Sequence, residues 1–432
     1  MRDGGVPEDE PDRRTVPGDD EPVPGGARRN FALNTANGAV TKAAEQLASP
    51  GVVLPLLLAG VGAPVSISGA LEPVRRGAAL LPGLLVSGRM RAYPVRKGFW
   101  VAAGLVQAAT MAVMAYAAAR LAGVAAGVVV LVMLAVFSLA SGAGSVAFGD
   151  VMAKTIPKAR RGRLLGARAA LGGVAAIGVG AALQVVLKGD VGRGVFVWLL
   201  CASAALWALG SWFFARMDEP AGPAERGRTP LAEARAGMEV LRDVPGFRRF
   251  LVARGLLSVT EVALPFYVLA AREAGVPAST LGGFLVASGV AAVVSNPIWG
   301  RVTDRASDQS VMTVAGLVGT APAAGALGLL MAGAGGAVAF SAVVLVAVVA
   351  QEGVRLGRKA YLVNAAPPDE RPLYVAVSNT LMGVVMIALA GLGFVADAAG
   401  LTSALAAILA LSVLGIVATL ATPEPERMVD ER

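Results

Sequence analysis

Leu54-Pro55 returns as Leu264-Pro265, and Pro157, Arg161, Gly173 and Val174 return as Pro367, Arg371, Gly383 and Val384, every pair 210 residues apart. Between these anchors Gly62-Ala63-Pro64 answers to Gly275-Val276-Pro277 at an offset of 213, and Gly88-Arg89 to Gly300-Arg301 at 212. Short loop insertions appear and are then absorbed. The economical reading is one unit written twice in the same direction.

The repeated unit is apolar. The 432 residues are 56% hydrophobic and 16% charged with a mean hydropathy of +0.66, outside the range of ordinary soluble chains. Roughly 20 apolar residues are needed to cross about 30 Å of hydrocarbon. Twelve stretches qualify, near 31–61, 64–88, 98–119, 122–149, 164–187, 193–216, 249–272, 279–300, 310–333, 336–357, 372–396 and 400–421. The prediction is an all-α integral membrane protein of 12 transmembrane helices in two six-helix halves, residues 29–217 and 248–421. A polar linker, 218–247, joins them and carries a surface helix from Pro230 to Leu241. Residues 1–28, rich in Pro, Gly and charge without an apolar run, read as a disordered cytoplasmic tail and not as a signal peptide or span; 422–432 reads as a second tail.

The net charge of +8 is placed by topology, not by nucleic acid. Loops 88–98, 150–163, 300–310 and 354–371 hold fifteen Lys and Arg, whereas the six opposite loops hold four: Arg120, Lys188, Arg193 and Arg272. That bias predicts a plasma-membrane protein with both termini and the linker in the cytoplasm. There is no His, and the single Cys201 falls inside an expected span. A Cys/His metal site, a disulfide and a His proton relay are excluded. Neither a P-loop nor a dinucleotide fingerprint is present, which argues against an ATP-driven pump, and no nucleophile constellation supports an enzyme. No cofactor is expected; the partners expected are lipid and a small solute, with the chain acting as a monomer.

Ionisable residues inside spans cost at least about 2.5–3.5 kcal/mol each at the bilayer centre and therefore need a partner or a wet cavity. Asn34, Gly38, Thr41, Glu45 and Ser49, spaced 4, 3, 4 and 4, share one face of the first span, with Asn37 and Lys42 beside them. Glu45 lies 17 residues from the turn at Gly62, roughly 25 Å along a helix. The second span contains Glu72, Arg75 and Arg76, because a helix starting after Arg76 is too short to cross. Glu72 pairs with one of these arginines a turn away, or an arginine reaches Glu45 or an anionic solute. In the seventh span Arg254, Ser258, Glu261 and Pro265 again share a face. Arg254 precedes Pro265 by 11 residues and Glu45 precedes Pro55 by 10, so the two charges are expected at similar depth, facing across the halves or forming structural bridges. Glu352 and Arg355 stand one turn apart in the tenth span. Asp150 is expected to staple its loop through Lys154, and Arg168 to snorkel to the same surface.

Two six-span halves, a cytoplasmic linker and the loop Gly300-Arg301-Val302-Thr303-Asp304-Arg305 together resemble the major facilitator superfamily over residues 30–421. Gly300, Asp304 and Arg305 match the family's loop signature, while the first half has Gly88-Arg89-Met90-Arg91 without the acid. The resemblance implies a cytoplasmic gate at this loop, with Asp150, Arg161 and Arg371 in the neighbouring loops, and a cavity lined by spans one, four, seven and ten. It also implies alternating access about a midplane site between halves. The fifth span has Gly166, Gly172, Gly173, Gly178 and Gly180 but no proline, so the antiporter pattern of this family is missing. The expected function is secondary transport of a small polar, anionic or zwitterionic solute, with Glu45, Arg76, Arg254, Glu261 and Glu352 as substrate or proton sites and Asn37, Thr41, Lys42, Glu72, Arg75 and Ser258 as secondary cavity residues. Multidrug efflux by proton antiport, and a receptor or scaffold that kept the fold without flux, are the alternatives.

Overall fold

The computed structural model describes residues 26–82, 90, 93–186, 192–222, 230–303, 305–367 and 370–428, and all regular structure among them is helical. The first half contains α1 (Ala27–Leu47), α2 (Val53–Gly60), α3 (Val65–Leu80), α4 (Lys97–Arg120), α5 (Gly123–Thr155), α6 (Lys158–Val186) and α7 (Arg193–Ala215). The linker helix α8 (Pro230–Asp243) extends the expected surface helix by two residues. The second half contains α9 (Pro245–Leu257), α10 (Val259–Val262), α11 (Leu264–Glu273), α12 (Leu281–Thr303), α13 (Asp308–Met331), α14 (Ala337–Ala365), α15 (Arg371–Leu389), α16 (Gly391–Ala399) and α17 (Leu401–Leu420).

Ten segments among the described residues are long and apolar enough to cross a membrane. The first two expected spans are not among them. Residues 31–61 divide into α1 and α2, and α3 carries Glu72, Arg75 and Arg76 within its 16 residues. Exposed Val124, Val128, Val132 and Val136 form one apolar stripe along α5, the surface that a bilayer covers.

The duplicated Leu-Pro and Gly-x-Pro have a local cause. Pro55 stands in the first turn of α2 and Pro265 in the first turn of α11, where a missing N–H costs nothing and a broken helix can restart. Both short helices then end on a glycine in the left-handed region, Gly62 at φ 75° and Gly275 at φ 82°. The following N–H, of Ala63 or Val276, reaches the carbonyl five residues back, Leu58 or Ala271, at 2.9 Å in each case. That is a Schellman closure, for which glycine is the residue of least strain.

Within the first half α4 packs on α5 and α7, and α1 on α6 and α7; in the second, α13 packs on α14 and α17, and α9 on α17. The two most extensive contacts between the halves are α6 with α12 and α3 with α15 and α16, and smaller ones join α2 and α3 to α11 and α3 to α10. A Cβ at Gly173 in α6 would lie 3.9 Å from the Gly289 carbonyl, and one at Gly383 in α15 would lie 3.8 Å from that of Gly77. Gly77 and Gly289 are themselves 212 residues apart. The two crossings are one contact made with the halves exchanged.

At the linker end, the buried Glu219 carboxylate accepts the N–H groups of Arg96 (2.9 Å) and Lys97 (2.6 Å) at the start of α4 and pairs with Lys154 at 3.0 Å. Asp150 does pair with Lys154, at 3.3 Å, and also with Arg96 at 2.5 Å. Arg161 donates to the carbonyls of Ile156 (3.1 Å) and Ala153 (2.7 Å), closing the C-terminus of α5. Its repeat partner Arg371 begins α15, with its Nε buried and unbonded. Gly300 faces open space near the end of α12 and Arg305 follows in the next turn; Asp304, Gly88, Arg89 and Arg91 lie outside the described residues. Glu219→Ala leaves two helix-start N–H groups without their acceptor and Lys154 with Asp150 and the Pro94 carbonyl alone. It is expected to cost about 1–3 kcal/mol, read as a lower melting temperature of the purified protein, with Glu219→Gln losing less.

Candidate functional site

A cavity of about 300 Å³ is walled almost entirely by the first half, by Lys42, Glu45, Gln46 and Ser49 of the first expected span, Glu72, Arg75 and Arg76 of α3, Phe137 of α5 and Trp207 of α7, and meets the second half at Arg355 of α14. Four cations face two carboxylates in this lining. The helix break at residues 48–52 forms its roof: a Cβ on Gly51 would lie 2.6 Å from Leu264 Cδ2 of the other half. Beyond that roof α11 is almost wholly buried. Toward the linker end the Lys42 and Arg355 side chains are 55% and 53% exposed, so the cavity is open on that side.

The far end is closed by close backbone contact. The Asp397 carboxylate of α16 accepts the first N–H groups of α3, Val65 at 2.8 Å and Ser66 at 2.9 Å. One turn deeper, a Cβ on Gly69 would lie 2.8 Å from Gly393 Cα. A carboxylate at a helix N-terminus is favoured by the helix dipole, so the two halves are held here by charge as well as by fit.

A chain of alternating charge runs through the wall of the cavity. Glu72 holds Arg76 Nε at 2.9 Å, Arg76 Nη1 holds Glu261 Oε2 of α10 at 2.8 Å, and Glu261 Oε1 pairs with Arg358 of α14. Gln351 Nε2 donates to the Glu261 carbonyl at 3.0 Å. Nearer the opening, Glu45 holds Lys42 at 2.6 Å and Arg75 at 3.4 Å, and Glu352 holds Arg355. Both alternatives for the second span occur together: Arg76 takes Glu72 and Arg75 reaches Glu45.

Several expected positions are corrected. Glu45 and Arg254 do not face one another; Arg254 is buried against α15, donating to Ser378 Oγ and to Asn379 Oδ1 at 3.1 Å. Ser258 bonds back to the Arg254 carbonyl at 2.8 Å and stays out of the cavity. Glu261 and Glu352 sit behind the lining arginines, so no residue of α9–α11 lines the space. Asn37 donates to the Gly210 carbonyl at 2.9 Å and Thr41 to the Asn37 carbonyl at 2.8 Å, which places both at the α1–α7 contact. Arg168 does not snorkel to the surface. It donates to Asn34 and Asn37 in α1 and stacks 4.6 Å from the Phe148 ring, because Gly38 leaves room for it. Arg358, counted as a loop residue, is inside α14; that helix continues to Ala365, and Gln351, Arg355 and Arg358 are spaced 4 and 3, with Gln351 and Arg358 both meeting Glu261 of α10.

No family model matches the sequence. Uncharacterized proteins of Mycobacterium tuberculosis and Mycobacterium bovis are 26% identical over 405 residues, 92% of this chain and 77% of each relative. Among solved structures, the nucleoside transporter NupG superposes with a TM-score of 0.70 at 12% identity, over 92% of this chain and 99% of its own. The fold is that of the major facilitator superfamily. An inward-open xylose transporter of E. coli shares this facilitator fold with a TM-score of 0.68 at 13% identity, over 94% of this chain and 98% of its own. The peptide transporter POT shares it with a TM-score of 0.67 at 12% identity, over 93% and 95%. The facilitator fold accounts for the multi-pass helical architecture; the lining described above is this chain's own.

Proposed function

We propose that this protein is a secondary transporter, not an enzyme, which moves a small polar organic solute across the plasma membrane by alternating access, with both termini and the linker on the cytoplasmic side. The carrying observation is the charged cavity of the first half, bounded by Arg355 of the second, sealed on one side by the Gly51–Leu264 and Asp397–α3 contacts between halves and open on the other. A site at the interface of two bundles, closed at one end at a time, is what alternating access requires. The nucleoside, xylose and peptide transporters that share the fold support the same reading. Glu45, Arg75 and Arg76 are assigned to the solute site and Glu261 to the link between halves.

Proteoliposomes test it. Saturable uptake or counterflow of a solute drawn from amino acids, organic acids, sugars and nucleosides is expected, and Arg76→Ala should abolish it. An imposed pH gradient decides proton coupling: equal rates with and without the gradient remove it. Ligand binding with no flux under any gradient would replace transport with the receptor reading.

A further inference from the structure

Arg75 differs from the other cations of the cavity. Lys42 and Arg355 each hold a carboxylate of their own helix one turn away, and Arg76 is shared between Glu72 and Glu261. The ion pair of Arg75 is a single 3.4 Å contact to Glu45, a carboxylate that Lys42 already holds at 2.6 Å. Its guanidinium lies 5.1 Å over the Phe137 ring. A guanidinium has five N–H donors in a fixed fork, so most of this one's capacity is unspent.

A second donor stands beside it. Trp207 lines the same cavity and packs edge-on to Phe137 at 5.4 Å, and its buried indole N–H has no acceptor among the described residues. Around this aromatic pair the unspent hydrogen-bonding capacity is donor capacity, in a lining where cations outnumber carboxylates. An acceptor-rich anion satisfies both the fork and the charge, whereas a neutral solute leaves Arg75 with only the 3.4 Å contact to a carboxylate it shares with Lys42.

We propose that the transported solute is a small organic anion whose carboxylate or phosphate group docks on the Arg75 fork, with its carbon skeleton over Phe137 and Trp207. The proposal rests on the transport reading above and narrows it. A volume of about 300 Å³ sits at the lower end of small-molecule sites, which suits a compact metabolite and excludes a bulky drug.

The test titrates the full-length protein with matched pairs: a short hydroxy acid and its amide, a sugar phosphate and the free sugar. Melting temperature and tryptophan fluorescence are followed. At least one anion is expected to bind where its neutral partner does not, and which anion binds separates carboxylate from phosphate. Arg75→Gln should weaken that binding by at least about tenfold and Arg75→Lys by less, since Lys keeps the charge and loses the fork. Trp207→Phe should remove the fluorescence change, and Arg28→Gln, on an exposed cation outside the cavity, should leave affinity unchanged. Equal binding of both members of each pair, binding of neutral members alone, no binding of either anion, or an anion affinity indifferent to Arg75→Gln each overturns the proposal. Flux separates the two claims. Saturable uptake of a neutral solute without anion binding removes the anion and leaves transport standing; Arg75-dependent anion binding without flux keeps the docking site and removes transport.

Discussion

Glu261→Ala is expected to destabilise the protein by about 3–5 kcal/mol and to abolish transport. The Glu261 side chain is 2% exposed and holds two arginines from different elements, Arg76 of α3 and Arg358 of α14. Arg76 keeps Glu72 after the substitution, but Arg358 is left without an ion-pair partner among the described residues. An uncompensated buried cation is the costly outcome, far more than the modest net worth of the intact pair. The same carboxylate also ties the first half to the second, so its loss loosens the interface as well as the wall. Purified Glu261→Ala should melt well below the parent, and Glu261→Gln should fall with it because the charge is lost. The double variant Glu261→Leu with Arg358→Leu is expected to recover most of the melting temperature without recovering uptake, since apolar replacement of a buried pair is often near neutral. Parental melting in Glu261→Ala would show that the Arg76–Glu261–Arg358 chain is not a structural element.

What could be read in the sequence was whatever is enforced within a turn or two of chain. Leu-Pro and Gly-x-Pro mark the start and stop of α2 and α11 because proline and positive φ act on their own backbone. That Glu72 has an arginine one turn away, and Glu352 has Arg355, followed from helical spacing; which of Arg75 and Arg76 takes Glu72 did not. Partners distant in sequence did not. Asn34, Asn37 and Thr41 look like a continuation of the Glu45 face, yet α1 turns them to α6 and α7, where Arg168 and the Gly210 carbonyl meet them. Arg254 resembled a counter-charge to Glu45 because both precede a Leu-Pro break by about the same distance; the break is repeated, but the partners of Arg254 come from α15. Arg358 was hidden by its company. A basic run near a span end reads as loop, and only the tertiary fold shows α14 continuing as 29 residues past it. The periodic signal was present, in Gln351, Arg355 and Arg358 at the spacing that singled out the first span.

Gly393→Val is expected to trap the protein open at the end opposite the linker. A Cβ on Gly393 would lie 2.7 Å from both the Cα and the carbonyl oxygen of Ser66, backbone atoms that cannot rotate aside as a side chain would. Relief therefore requires α16 to move away from α3, and that movement also draws Asp397 from the N–H groups of Val65 and Ser66. The substitution lies at a contact between halves and not inside either bundle, so folding of each half should survive while closure does not. Uptake should fall at least about tenfold, since a closure penalty above 1.4 kcal/mol already suffices. Cys201 is the chain's single cysteine, which makes the opening measurable: on a Cys201→Ala background, Leu264→Cys places a thiol at the cavity roof, where Leu264 is 8% exposed. A membrane-impermeant maleimide applied from the far side should label it slowly in the parent and rapidly with Gly393→Val. Asp397→Asn, which weakens the cap without a clash, should accelerate labelling by less. A thiol equally protected in both backgrounds, together with parental uptake, would mean that the α3–α16 contact is not the part that opens.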